Sequence, residues 1–311
     1  MPAAAAPKLL VVGSLNMDLV LRADRLPFAG ESLPAEFYQY IPGGKGGNQA
    51  VAVARQGGKP TFIGCVGNDA HGVLLASGLR REHVDTSHLQ VSRSASSGLA
   101  VIFLDNRSQN RILVFAGANH EVKTSAVIAA FRSQRYDGVL LNLEIPDAII
   151  LRVLAEAKIR NLPVRLDAGP ARHFTLAKLR NLEILSPNET EVQAMTGRNC
   201  RTWKDTRSAA ISLRKSTGAR HVVIKLGARG ALLHNAYTTR RFHPYAVDAV
   251  DTTAAGDAFT SALAVTYIET GDINTAVHRA MAAGAIAVTC LGAQPSLPTR
   301  RAVDLFLRRR H

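Results

Sequence analysis

Short apolar runs at residues 8–13, 138–143, 162–167, 182–186 and 221–227 alternate with segments of helical periodicity near 46–56, 147–160, 189–195 and 206–215. Continuous apolar strands are covered on both faces, and helices between strands supply the crossovers that parallel pairing requires. The pattern therefore predicts an α/β chain built on a mostly parallel sheet flanked by helices. In such sheets ligands gather beyond the carboxyl ends of the strands. Asn16, Asp18, Glu144, Asp167, Asn188 and Gly227 all follow such runs, so they are expected to converge near one edge of the sheet.

Other segments break the alternation. Residues 98–104 and 111–115 are apolar and β-branched around Asp105-Asn106-Arg107-Ser108, a hairpin signature, and 19–26 with 36–41 offer further strands. These strands, drawn from roughly 15–42 and 97–116, are expected to form a small β-sheet lid that would exclude water from the site. No internal repeat or long linker interrupts the chain, so residues 1–311 read as one α/β domain.

Composition narrows the partners. An apolar fraction of 47% can supply a sizeable core, and 38 Lys+Arg against 24 Asp+Glu give a formal charge of +14 that helps attract anionic ligands. The basic residues are scattered, with local excess only near 198–214 and at 308–310, and no basic stretch is interleaved with aromatics, so nucleic acid is not an expected partner. Cys65, Cys200 and Cys290 lack C-x-x-C spacing, which argues against a disulfide framework or a zinc site and fits a reducing cytoplasm. Met1-Pro2-Ala3-Ala4-Ala5-Ala6-Pro7 reads as a loose tail without a signal peptide, and residues 280–293 are too short and too rich in Ala and Gly to span a bilayer.

The chemistry concentrates in a few motifs. Pro42-Gly43-Gly44-Lys45-Gly46-Gly47-Asn48 ends an extended segment and opens a helix, where glycines and free amides let a ligand approach the backbone. It fits neither a Walker A loop nor G-x-G-x-x-G. Asp251-Thr252-Thr253-Ala254-Ala255-Gly256-Asp257 leads into a second helix, so its small residues leave room for a phosphate at free amides. Asp257 beside them could accept a proton from an attacking hydroxyl while those amides hold the charge of a transferring phosphoryl group, or it could simply cap the helix. A helix terminus lowers a carboxylate's pKa, so Asp257 is expected to be a weak base whose value is positional. Lys225-Leu226-Gly227-Ala228-Arg229-Gly230-Ala231 suits a tight turn, alone or against phosphate or base. Ser186-Pro187-Asn188-Glu189-Thr190-Glu191 suits helix capping or a role in placing Mg²⁺ or phosphate.

Together these motifs resemble the ribokinase branch of the ribokinase-like (PfkB) carbohydrate kinase family, over residues 8–298. Gly44 to Asn48 matches the first family signature and Asp251 to Asp257 the second, while Gly13-Ser14-Leu15-Asn16-Met17-Asp18 and Gly292-Ala293-Gln294-Pro295-Ser296-Leu297-Pro298 match the branch. The resemblance implies a Rossmann-like ribokinase fold and an ATP-dependent kinase of D-ribose, with other sugars or nucleosides (deoxyribose, fructose, adenosine) as the rival acceptors. It implies that Asn16, Asp18, Gly44, Lys45, Asn48 and Glu144 hold the sugar, that Asp257 is the base, and that the amides of Ala254, Ala255 and Gly256 form the anion hole. Asn188, Lys225, Leu226, Gly227, Ala228, Arg229, Gly230 and Gly256 would contact ATP, with Met281 walling the adenine pocket. Glu191 would associate with Mg²⁺, and Asp251, Thr253, Ala287, Cys290, Gly292 and Ser296 would surround an activating K⁺. The resemblance also implies a homodimer formed through the lid. Gly47 and Ala258 depart from common family residues without removing a functional group.

Overall fold

The computed structural model describes residues 5–105 and 110–309. Part of the expected tail (1–4), most of the expected turn at 105–108, and Arg310 lie outside the described residues. Strands follow in chain order as β1 (Lys8–Val12), β2 (Asn16–Arg22), β3 (Phe37–Gly43), β4 (Lys59–Gly67), β5 (Asp85–Ser92), β6 (Gly98–Leu104), β7 (Asn110–Phe115), β8 (Gly138–Asn142), β9 (Val164–Asp167), β10 (Leu182–Ser186), β11 (His221–Lys225), β12 (Ala231–His234) and β13 (Thr239–Phe242).

Nine of them form one sheet in the order β13-β12-β11-β10-β9-β8-β1-β4-β5. Every neighbouring pair from β11 through to β5 is parallel. Only β12 and β13 run antiparallel, because short turns join them to β11 and to each other. The middle of the sheet is apolar on both faces: Leu10 and Val12 of β1 enter one core cluster, and Leu9 and Val11 enter another. Burying each of these side chains contributes about 1.5–3 kcal/mol relative to exposure. On β9 the alternation is deliberate in another way, since Val164 and Leu166 are apolar whereas Arg165 and Asp167 present charge to the opposite face.

The remaining strands make the lid, in the order β3-β2-β6-β7. A parallel β2–β6 pair forms its centre, with β3 and β7 antiparallel on the flanks. Strand β2 begins at Asn16 rather than near residue 19. Asn16 and Asp18 are polar, which hides the strand in the sequence, yet both are buried because they point into the site. One side of the lid packs Val20, Ile41 and Ile102, while Tyr38, Tyr40, Leu113 and Phe115 remain exposed.

Three helices complete the frame of the site: Lys45–Arg55, Ala255–Thr270 and Ile273–Ala287. The first two pack closely because Ala258 and Ala262 are small, and the Ser261 hydroxyl donates to the Gln49 carbonyl at 3.2 Å.

Candidate active site

The site lies where the carboxyl ends of β8, β9, β10 and β11 meet the first turns of helices Lys45–Arg55 and Ala255–Thr270. Gly44 opens the first helix with φ of 82°, a conformation that favours glycine, and a Cβ there would lie 2.7 Å from the Asn16 nitrogen. The chain can therefore turn sharply from lid strand β3 into the helix while staying against the base of β2. Its neighbour Gly43 leaves room for Asp18, whose Oδ2 would be 2.1 Å from any Cβ added at Gly43.

The sugar-side polar residues are brought together. Asn16 Oδ1 accepts a hydrogen bond from Asn119 Nδ2 at 2.8 Å, and Asn119 Oδ1 accepts the Leu15 amide at 2.8 Å. Glu144 accepts the Ser14 hydroxyl and, at 3.0 Å, the Lys45 amide. Burial pushes the Asp18 carboxyl up to about 7, helped by the nearby charges of Glu144 and Asp257. Asp18 also borders a small cavity of about 30 Å³ between the lid and the loop carrying Asp251 and Thr253.

Asp257 stands in the first turn of its helix and is almost wholly buried. Asn48 Nδ2 donates to its Oδ2 at 2.9 Å, and Gln49 Nε2 donates to its Oδ1 at 3.1 Å. Lys45 Nζ lies 3.8 Å from Asp257 Oδ1 and 3.5 Å from Asp167 Oδ2. The Lys45 side chain thus sits between carboxylates rather than beside Asp18. Burial alone would lower its pKa, but Asp167, Asp257, Glu191 and Glu144 outweigh this and hold it well above the ordinary value.

The expectation that a helix terminus would depress Asp257 is corrected. Burial raises its pKa to about 6, Lys45 and Asn48 pull it down, and Asp167 and Glu144 push it up. Desolvation acts on the whole buried carboxylate, whereas the helix terminus contributes only partial charge. A base poised near neutrality is better matched to proton abstraction than a strongly acidic one.

Ala254 precedes this helix with φ of 59°, which costs a non-glycine residue about 1–2 kcal/mol. The turn it makes leads directly into the helix, whose first intrahelical bond runs from Ala258 N to Ala254 O at 2.9 Å. The Gly256 and Asp257 amides therefore have no carbonyl within their own helix. The Ala255 amide bonds to Thr252 O at 3.3 Å, a long bond that a stronger acceptor can displace.

Beside this turn opens a cleft of about 790 Å³. Asn188, Lys225, Gly227, Ala228, Gly230, Gly256 and Met281, the residues expected to contact ATP, are among those that line it. Leu226 and Arg229 do not. Leu226 is buried in the core, and the Arg229 guanidinium pairs with Glu189 and donates to the carbonyls of Arg201 at 2.9 Å and Cys200 at 2.5 Å. The sequence reading missed Tyr245, Val247, Gly284 and Val288, which also line the cleft. Gly284 lies three residues after Met281 on helix Ile273–Ala287, and that helical spacing is the signal in the sequence that puts it on the same face.

Asn188 and Glu191 form a reciprocal cap. Asn188 Oδ1 accepts the Glu191 amide at 2.8 Å, and Glu191 accepts the Asn188 amide at 2.7 Å and its side-chain amide at 3.0 Å. Among the described residues no three His, Cys, Asp or Glu side chains converge to hold a metal ion. The donors fit a Mg²⁺ that arrives with its waters on phosphate oxygens, since Mg²⁺ keeps several waters and needs only one or two carboxylates. Asp251 joins the loops expected around K⁺: Oδ1 accepts the Thr253 amide at 2.9 Å and its hydroxyl at 2.6 Å, and Oδ2 accepts the Gly292 amide at 2.8 Å. Cys290 N donates to Ala287 O at 3.2 Å, and Ser296 donates to Ala293 O at 2.8 Å. A carboxylate among such loop carbonyls is a hard-oxygen set that fits a monovalent cation.

A large cleft beside free helix amides, a buried carboxylate at Asp257 and a polar pocket under a small sheet is an arrangement suited to sugar phosphorylation. The family model for pfkB family carbohydrate kinases matches residues 6–300. The chain belongs to that family and is an ATP-dependent sugar kinase. It is 35% identical to a ribokinase of Haemophilus influenzae, over 96% of this chain and 98% of that protein. It is 31% identical to a deoxyribokinase of Salmonella typhi, over 96% and 97% respectively. The structure of Arabidopsis thaliana ribokinase complexed with ribose and ATP superposes with a TM-score of 0.89 at 34% identity, covering 97% of this chain and 99% of that one.

Proposed function

We propose that this chain transfers the γ-phosphoryl group of ATP to the 5-hydroxyl of D-ribose, giving D-ribose 5-phosphate and ADP. The observation that carries this reading is Asn48. Its Nδ2 is bonded to the base, while its buried Oδ1 has no hydrogen-bond partner. A buried acceptor left unpaired costs about 1–3 kcal/mol. A sugar hydroxyl donated to it would remove that cost and lie next to Asp257.

ATP occupies the large cleft, with its phosphates toward Lys225 and the amides of Ala254, Ala255 and Gly256. Asn16, Asp18, Asn48 and Glu144 hold the sugar, whose 5-hydroxyl gives its proton to Asp257 as its oxygen attacks the γ-phosphorus. The amides hold the charge that develops on the transferring oxygens. Mg²⁺, carried on the phosphates near Asn188 and Glu191, would neutralise phosphate charge. K⁺ at Asp251 would stiffen the loop that leads into the anion hole. The exposed Tyr38, Tyr40, Leu113 and Phe115 support pairing of two chains lid to lid. The need for ATP and the free state of Cys65, Cys200 and Cys290 support a cytoplasmic location.

The test is ATP consumption with D-ribose, 2-deoxyribose, fructose and adenosine as acceptors. The expected result is the highest kcat/KM for ribose, with a phosphorylated product at carbon 5. A higher value for adenosine or fructose would overturn the assignment, and a higher one for 2-deoxyribose would move it to the deoxyribose branch.

A further inference from the structure

Asp167 ends β9 at the floor of the site and is completely buried, yet the proton transfer described above makes no use of it. Its oxygens are fully engaged. Oδ1 accepts from Lys225 Nζ at 2.7 Å, and Oδ2 accepts from Gln49 Nε2 at 2.8 Å with Lys45 Nζ 3.5 Å away. Lys225 in turn lies against the anion hole, since a Cβ at Gly256 would be 3.6 Å from its Nζ. Gln49 uses the same Nε2 to reach Asp257 Oδ1 at 3.1 Å. One carboxylate thus ties together a cation facing the phosphate site and an amide holding the base.

We propose that Asp167 is a positioning residue for phosphoryl transfer, acting through Lys225 on the transferring group and through Gln49 on Asp257. A lysine stem is flexible, and without a fixed partner its ammonium would sample several rotamers. Held by Asp167, the ammonium stays beside the Gly256 amide. Gln49 has a single amide nitrogen for two carboxylates, so it fixes the spacing between the base and the Lys225 anchor. The two carboxylates come from different elements, and among the described residues this bridge and Lys45 join them directly.

The inference rests on Asp257 being the base, and the experiment separates the two. The full-length protein is compared as wild type, Asp167→Asn, Lys225→Met, the double variant, and Asp257→Asn, measuring kcat, KM for ribose and ATP, and their pH dependence. Around Asp257 the charged groups are Lys45 from its helix, Asp167 from β9, Glu144 after β8 and Asp18 from β2; around Asp167 they are Lys225, Lys45 and Glu191. Asp167→Asn removes a negative neighbour of the base. It should lower kcat on the order of 10- to 100-fold through misplacement, leave KM for ribose unchanged, and shift the acidic limb of the profile to lower pH. In the Lys225→Met background Asp167→Asn should cost less than it does in the wild type, because the Lys225 arm is already lost and only the Gln49 arm remains to be broken.

Wild-type kcat and an unmoved acidic limb in Asp167→Asn would overturn the proposal, as would additive losses in the double variant. If circular dichroism shows that Asp167→Asn does not fold, the double variant, which removes both charges together, is compared with Lys225→Met: a lower kcat with the acidic limb moved to lower pH supports the proposal, and an identical kcat and limb overturn it. Full activity in Asp257→Asn would instead sink the base assignment.

Discussion

Asn48 donates to Asp257 Oδ2 at 2.9 Å through one end of its amide and leaves the other end, Oδ1, buried without a partner. In the proposed reaction the same side chain would touch the proton acceptor and offer an acceptor to the incoming hydroxyl, so substrate placement and base placement would be linked through one rigid amide.

The first expectation concerns Asp257→Asn. The substitution keeps the side chain's shape but removes the proton acceptor, and kcat should fall on the order of 100- to 10,000-fold. Calorimetric titration should still detect ATP and ribose binding. A folded variant with near-normal turnover would show that the proton leaves by another route.

The pH profile follows from two raised carboxyls. Asp257 at about 6 and Asp18 at about 7 must both be ionised for base action and for accepting sugar hydroxyls. Activity should therefore reach its plateau only well above the Asp18 value of about 7 and fall as pH drops through about 7 and then about 6, with apparent values that belong to the coupled set. Initial rates at saturating ATP between pH 5 and 9 would check this, and a flat profile down to pH 5 would contradict it.

Stability should move the opposite way at Asp18. Its folded pKa is raised, so the folded state binds more protons than the unfolded chain, and this site's contribution becomes less favourable as pH rises from about 4 to about 7. Asp18→Asn removes that strain. At pH 8 its Tm should rise, corresponding to a gain on the order of 1 kcal/mol or more, while KM for ribose increases on the order of 100-fold. A lower Tm together with unchanged KM would refute the sugar-binding role.

Gly43→Ala tests the same residue from behind. A Cβ at Gly43 would lie 2.1 Å from Asp18 Oδ2, so the carboxylate must move away. The expected outcome is a raised KM for ribose, with KM for ATP unchanged because the nucleotide cleft is lined by other elements. Equal changes in both constants would point to a general loosening of the fold instead.

Asp251→Ala should weaken the loop that enters the anion hole, since its carboxylate accepts from Thr253 and Gly292. In the wild type, K⁺ should raise kcat relative to Na⁺, and in the variant the two salts should give the same rate. Rates in K⁺-free buffer titrated with each salt decide this.

Much of this arrangement was readable before the fold was known. The apolar runs mark β1, β8, β9, β10 and β11 because buried strands leave a local signal, though not the parallel strands β4 and β5, and the glycine and Asp257 motifs are contiguous. The supporting partners leave no such trace. Gln49 and Asp167 are separated by 118 positions, and Asn119 and Asn16 by 103, so only the packed chain reveals that they meet. The side chains of Leu226 and Arg229 cannot be placed from their neighbours in the motif, because the 3-10 turn at Gly227–Arg229 sends one into the core and the other to Glu189. The Asp257 pKa was misjudged because helix position is local, whereas burial is a property of the whole molecule.

Strand β2 begins at Asn16 and Asp18, the residues proposed to hold the sugar, and runs outward as the centre of the lid, paired along its length with β3 and β6. Recognition and enclosure are thus performed by the same strand. A change in acceptor range cannot be made by reshaping the pocket floor alone: a sugar that lacks a hydroxyl for these side chains also loses its grip on the cover, and would react in a site more open to water. Under the proposed sugar-binding role, selectivity would be exerted twice by a single ligand contact, once in holding the sugar and once in closing over it.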